Sequence, residues 1–132
     1  MNIDVLIADL DSSNSQTRDA AAIQLMDIGD ARAVIPLIKA ICEPRNENHR
    51  GTLVYALSAF DCIDHFDLLV DLVLNGNFEV ATGAFQIIEE ANLTHEHNVS
   101  VKRHLESVSR ATLKQDHNRD GYDALINLVG IS

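Results

Sequence analysis

The stretch from Arg18 to Ile41 reads RDAAAIQLMDIGDARAVIPLIKAI. Within it Ala21, Ala22, Leu25 and Ile28 fall at i, i+1, i+4 and i+7, one apolar stripe at helical period. Gly29 suits the left-handed position just past a helix end, and Asp30 can accept hydrogen bonds from the free amides that open a following helix. Val34, Leu37, Ile38 and Ile41 form a second stripe. Pro36 would break a long helix, since it lacks a donor and crowds the carbonyl four residues back, but the first turn of a short helix tolerates it. The spacing predicts two short helices packed back to back through a tight corner at Gly29-Asp30.

Outward from this hairpin the pattern repeats. Leu6, Ile7 and Leu10 align with Leu37, Ile38 and Ile41 at a step of 31 residues, and those with Leu69, Val70 and Val73 at a step of 32. The partner stripe Ala21, Ala22, Leu25 and Ile28 recurs as Leu53, Val54, Leu57 and Phe60, then as Ala84, Phe85, Ile88 and Ala91. Three hairpins follow, about 3–28, 31–61 and 65–91. Turn residues stand where the repeat needs breaks: Ser12 to Ser15, Glu43 to His49 with Pro44, and Asn75-Gly76-Asn77. Arg50 occupies the Arg18 position of its unit, whereas Ala81 replaces it in the third. Beyond Ala91 the register is lost. Val101, Leu105 and Val108 predict one helix and Tyr122, Leu125, Leu128 and Val129 a last one, with a polar loop from about Lys114 to Asp120 between them. These capping helices, about 97–130, are expected to close the stack as a degenerate fourth pair. The 132 residues are expected to form a single all-α domain, long enough to bury roughly two thirds of their unfolded surface.

Arg18 with Ala21, Ala22 and Leu25, then Ile28-Gly29-Asp30, then Arg32-Ala33-Val34-Ile35-Pro36-Leu37-Ile38 resemble the helical-hairpin HEAT repeats, in the short bacterial form also found in phycobilisome-lyase-like proteins. The resemblance implies an α-α superhelix, a short α-solenoid of stacked helix pairs that serves as a protein-binding scaffold. It brings no catalytic residue with it.

The net charge is −10. Nucleic-acid binding needs a basic face that releases counterions, so this composition argues against it and points to a basic protein partner, with solubility alone as the competing reading. Distribution sharpens the case: no Lys or Arg lies between Gly51 and Ser100, while Asp61, Asp64, Asp67, Asp71, Glu79, Glu89, Glu90 and Glu96 do. Lys102, Arg103, Arg110, Lys114 and Arg119 gather in the last third. Cys42 and Cys62 match no metal or redox spacing and read as reduced thiols. The start, MNIDVLIADLD, has no basic leader, and no apolar run approaches the roughly 20 residues that span a bilayer. The expectation is a soluble cytoplasmic protein without membrane contact.

Candidates for chemistry are weak. Asp116-His117-Asn118-Arg119-Asp120-Gly121 resembles the opening of an EF-hand or dockerin calcium loop, but the twelfth position is Asn127 instead of a bidentate carboxylate and the eighth is Asp123. A polar turn in which Asp120 caps the final helix is the plainer reading. His95, Glu96, His97 and His104 lack the spacing of a zinc site, so neither metal nor cofactor is expected. Ser58 and Thr82 have no glycine elbow, and Cys62 beside Asp61 and near His65 is no better placed, so no enzyme is expected. Asp64, Asp67 and Asp71 read as one solvated face.

A more informative surface lies opposite Leu53, Val54, Leu57 and Phe60. That face would show Gly51, Thr52, Tyr55, Ser58, Ala59 and Cys62, with no charge. The aligned positions are Ile23 and Met26 in the preceding unit and Glu79, Thr82, Gly83, Gln86, Glu89 and Glu90 in the following one. Stacking would bring Ile23, Tyr55 and Gln86 into a ladder on the face that the HEAT resemblance makes concave, with Asp27, Glu79, Glu89 and Glu90 as an acidic border. An aromatic anchor with charge at the rim is the anatomy of a protein interface. Close helix curvature is the competing explanation of the small residues. The expected partner-binding residues are Ile23, Met26, Asp27, Thr52, Tyr55, Ser58, Glu79, Thr82, Gln86, Glu89 and Glu90. The expected function is non-enzymatic docking of a basic protein, in the manner of an immunity or inhibitor protein that neutralises a toxin; a phycobilisome-lyase-like or other HEAT-like adaptor or regulatory subunit is the alternative.

Overall fold

The side-chain oxygen of Asn14 accepts from the amides of Gln16 and Thr17 at 2.9 and 3.2 Å and so starts helix α2 (Ser15–Ile28). At its other end Gly29 takes a left-handed conformation (φ 73°) and donates to the Leu25 carbonyl at 3.0 Å. Asp30 then accepts from the Arg32 amide at 2.9 Å, and its carboxyl is held below the usual range by hydrogen bonds from the Arg32 guanidinium. A 3-10 turn (Ala31–Ala33) leads into α3 (Val34–Cys42), with Pro36 as its third residue. The corner forms as its residues dictate.

The computed structural model describes residues 2–130. Among them are eight α-helices and no strand, and no helix is long and apolar enough to cross a membrane. The chain divides into two compact units, Met1–Cys62 and Ile63–Ser132. In the first, α1 (Ile3–Asp9) packs on α2, α3 packs on α4 (Gly51–Leu57), and α2 packs on α4. Leu6, Leu10, Ala21, Ala22, Leu25, Leu37, Ile41, Leu53, Val54 and Leu57 are all buried between them. Several stripe positions depart from expectation, and Ile7, Val34 and Ile38 are only half-buried at the edge of the core. Ile28 is 48% exposed, because it is the last helical residue before the chain turns away at Gly29, and Phe60 is only half-buried, because α4 ends three residues earlier.

Polar side chains complete this unit. Arg18 is buried, and its guanidinium donates to the Ser12 carbonyl at 2.7 Å. Asn46, also buried, donates to the Ala40 carbonyl at 2.9 Å, near the end of α3. Arg50 donates to the carbonyls of Glu47 and Ile41 at 3.2 and 3.5 Å. Each ties a loop or helix end to the start of a following segment.

The second unit is built around α5 (Phe66–Asn75), which packs on α6 (Phe78–Glu90), α7 (His95–Glu106) and α8 (Asp116–Val129). Six of its residues are buried: Phe66, Leu69, Val70, Leu72, Val73 and Leu74. The turn into α6 requires Gly76, since a Cβ there would lie 2.5 Å from the Leu72 carbonyl oxygen and 2.6 Å from Val80 Cγ1. Asn77 then caps α6 by accepting from the Val80 amide at 3.0 Å.

The polar run expected as a loop from Lys114 to Asp120 is mostly helix. α8 begins at Asp116, so Asp120 lies inside it and caps nothing, and Gly121 is a helical residue, not the sixth position of a calcium loop. The physical reason is the environment of Asn118. It is buried, and its amide donates to the carbonyls of Val73 and Gly76 at 3.0 and 2.9 Å. His117 Nε2 adds a third bond, to Gly76, at 3.0 Å. Arg119, the fourth residue of α8 as Arg18 is of α2, donates to the Leu113 carbonyl six residues back. Gly121 lets α8 lie against α5: a Cβ there would come within 2.6 Å of Val73 Cγ1.

Two substitutions measured by denaturant unfolding test this packing. Leu57→Ala should cost about 2–5 kcal/mol, as a fully buried leucine leaves a cavity. In an open helix Gly→Ala gains about 1 kcal/mol, but overpacking a stiff valine costs about 1–3 kcal/mol. Gly121→Ala should therefore fail to stabilise, and a clear gain would show that α8 does not approach α5 so closely.

Candidate protein-binding face

In the first unit the expected residues lie on α2 and α4, which pack side by side. Tyr55 is 58% exposed, Ser58, Ala59 and Asp27 are exposed, and Ile23, Met26, Gly51 and Thr52 are half-buried. The surface of α4 therefore presents a large aromatic ring among small uncharged groups. Cys62 does not belong to it. After Leu57 the chain tightens to bonds between residues three apart, from Ser58 to Tyr55, Ala59 to Ala56 and Phe60 to Leu57, and this takes residues 59–62 out of the helical register. Cys62 ends up buried, and burial, with the neighbouring Asp61 carboxylate, pushes its thiol up to about 11.

In the second unit Glu79, Thr82, Gln86, Glu89 and Glu90 are all exposed along α6. The acids differ in what they do for the helix. Glu79 sits in the first turn, where the helix dipole favours it. Glu89 and Glu90 are its last two residues, with no basic residue in that turn, where a carboxylate costs about 0.3–1 kcal/mol at exposed sites. Gln86 donates to Glu90 at 3.3 Å, while Glu79 and Glu89 have no partner among the described residues. By contrast, the exposed acids of α5 serve the fold: Asp67 accepts from Ser100 at 3.2 Å and Asp71 from Asn75 at 2.8 Å.

One exposed aromatic escaped the periodic reading. Phe78, the first residue of α6, is 68% exposed, with its ring edge-on to His117 at 6.0 Å. A phenylalanine directly after a capping asparagine is the available signal, because the first turn of a helix has no preceding turn to pack on. The ladder proposed from the repeat has Ile23 and Tyr55 in the first unit and Gln86 in the second.

The histidine cluster has a structural task. The Thr94 amide donates to His97 Nδ1 at 3.0 Å, the His97 amide donates to Thr94 Oγ1 at 3.3 Å, and the His97 ring lies 5.5 Å from that of Phe66. This reciprocal cap starts α7. Among the described residues no three His, Cys, Asp or Glu side chains gather as metal ligands would.

The thiols provide a pH test. An unfolded Cys62 ionises near 9.0 and the folded one near about 11, so its contribution to stability is complete below about 9 and is lost as pH rises through that window. At roughly pH 8 a thiol reagent should label exposed Cys42 readily and Cys62 only on unfolding; equal labelling rates would contradict the burial. No family model, curated protein or solved structure matches this chain.

Proposed function

We propose that this chain is a HEAT-like helical-repeat module that binds a basic protein without catalysing a reaction, in the manner of an immunity or inhibitor protein that neutralises a toxin. The observation that carries this reading is the end of α6. Glu89 and Glu90 stand at the negative end of the helix dipole with no cation near them in sequence, so they weaken the helix and make sense as groups kept for a partner. The uncharged surface around Tyr55 in the first unit supplies an anchor of the kind that dominates interfaces, and in the second unit the α6 acids supply charge that attracts a cationic partner. Paired packing of α1 with α2, α3 with α4, α5 with α6 and α7 with α8 supports the helical-hairpin repeat.

The test begins with affinity capture from the source cell and the identity and isoelectric point of what is bound. Titration of variants against that protein at two salt concentrations then locates the face. Tyr55→Ala should weaken binding by about 2 kcal/mol or more, the cost of a lost central aromatic. Glu79→Lys and Glu90→Lys should slow association and flatten its salt dependence, because rim charges act through screened water. Reversal of Asp64, Asp67 and Asp71 should do less per charge, and every variant should remain folded, since none removes core volume. Loss of the partner in the Asp64, Asp67 and Asp71 variant, with Tyr55→Ala still binding, would move the face to α5.

A further inference from the structure

Between α1 and α3 runs an open groove of about 230 Å³, within the first unit. Its apolar lining is Ile7, Leu10, Ile35, Pro36 and Ala40. Ile35 is 61% exposed on the groove wall, which distinguishes it from an isolated surface aliphatic. Two charged residues complete the lining. Asp11 is already paired with Arg45 at 2.8 Å, whereas Lys39 has no ion-pair partner among the described residues. The groove therefore fits an apolar side chain whose neighbour is an anion, and it disfavours a cationic segment, which would meet Lys39.

The chain itself exposes such a pair at Phe78-Glu79. Among the described residues the Phe78 ring is the most exposed of the large apolar side chains, and Glu79 beside it has no partner. The ring also has one contact that favours its direction. It stands edge-on to His117 at 6.0 Å, and His117 in turn is bonded to the Gly76 carbonyl at 3.0 Å, an arrangement that favours the outward pose of the ring before any contact is made. Size agrees as well, since apolar cavities of about 150 Å³ accept benzene and this groove is larger.

We infer that the α1/α3 groove is a socket for the Phe78-Glu79 corner of a second copy of this chain, with the ring against Ile35 and Pro36 and the carboxylate on Lys39. Socket and knob are different surfaces, so the contact is heterologous: each copy in a pair keeps one socket or one knob free. This contact shares Glu79 with the rim of the proposed docking face but uses neither Tyr55 nor Glu89 and Glu90, so it stands or falls independently of the docking of a basic protein.

A single-anchor contact belongs to the weak class, so sedimentation is measured on the full chain up to roughly 1 mM. Mass should rise with concentration. Ile35→Asp and Phe78→Asp, both at exposed positions, should each weaken association by at least about tenfold, the effect of losing one aromatic anchor or its pocket. Mixing those two variants should restore a one-to-one complex, because one brings an intact knob and the other an intact socket. Lys39→Glu should weaken association without touching an apolar group, and mixing it with Glu79→Lys should recover it. Circular dichroism and melting confirm that each variant is folded. A parent that stays monomeric, a Phe78→Asp variant that associates like the parent, or a mixture of the two broken variants that stays monomeric would overturn the inference.

Discussion

Helices of seven to fourteen residues leave a large share of their backbone groups without intrahelical partners, four donors and four acceptors per helix. In this chain buried and half-buried side chains meet part of that demand, at Ala40 and Val73, and bind loop carbonyls besides. Arg18 reaches the Ser12 carbonyl, Asn46 that of Ala40, Asn118 those of Val73 and Gly76, and Arg119 that of Leu113. A buried carbonyl without a partner costs about 1–3 kcal/mol, so these bonds decide which loop can lie next to which helix. The apolar stripes supply the driving force, and the polar contacts supply the register.

That division of labour frees the outer faces. Because α4 is held by Leu53, Val54 and Leu57 on one side, Tyr55 on the other has no duty in the core. Because α6 is held by Val80, Ala81, Ala84, Ile87 and Ile88, its acids can be placed without regard to packing. The acids of α5 and α6 then differ in a meaningful way: Asp67 and Asp71 are tied to Ser100 and Asn75, while Glu79 and Glu89 are not tied to anything described. Exposed charge is cheap on a helix surface, but charge at the wrong end of a dipole is not. Asp9 at the end of α1 and Asp27 in the last turn of α2 stand at the same disfavoured end, and α6 differs from them in ending on two adjacent acids.

Local chemistry was legible in the residues, and tertiary context was not. Gly29 and Asp30 specify their corner through conformations that few other residues adopt, and Leu37, Leu57 and Ile88 are buried as their period requires. All-helical structure follows from that period. Asn118 misled because an isolated polar run reads as loop, and only the carbonyls of α5 make a buried asparagine favourable there. Cys62 departs from the α4 period because the backbone tightens after Leu57, a change that the apolar spacing does not encode. The candidate face divides the same way. Exposure of Tyr55, Glu79, Thr82, Gln86, Glu89 and Glu90 follows from their stripes, whereas Phe78 and the α1/α3 groove depend on helix ends and spacing that no period encodes.

The central proposal is that a basic protein docks through the exposed face of α4 in the first unit and that of α6 in the second, and amide chemical shifts of the labelled chain, recorded with and without the captured partner, test it most directly. The account predicts changes concentrated in residues 52–58 and 79–90, with α5 near Asp64, Asp67 and Asp71 little affected. Changes confined to α5, or to the α1/α3 groove, with Tyr55 and Glu90 unmoved, would contradict it.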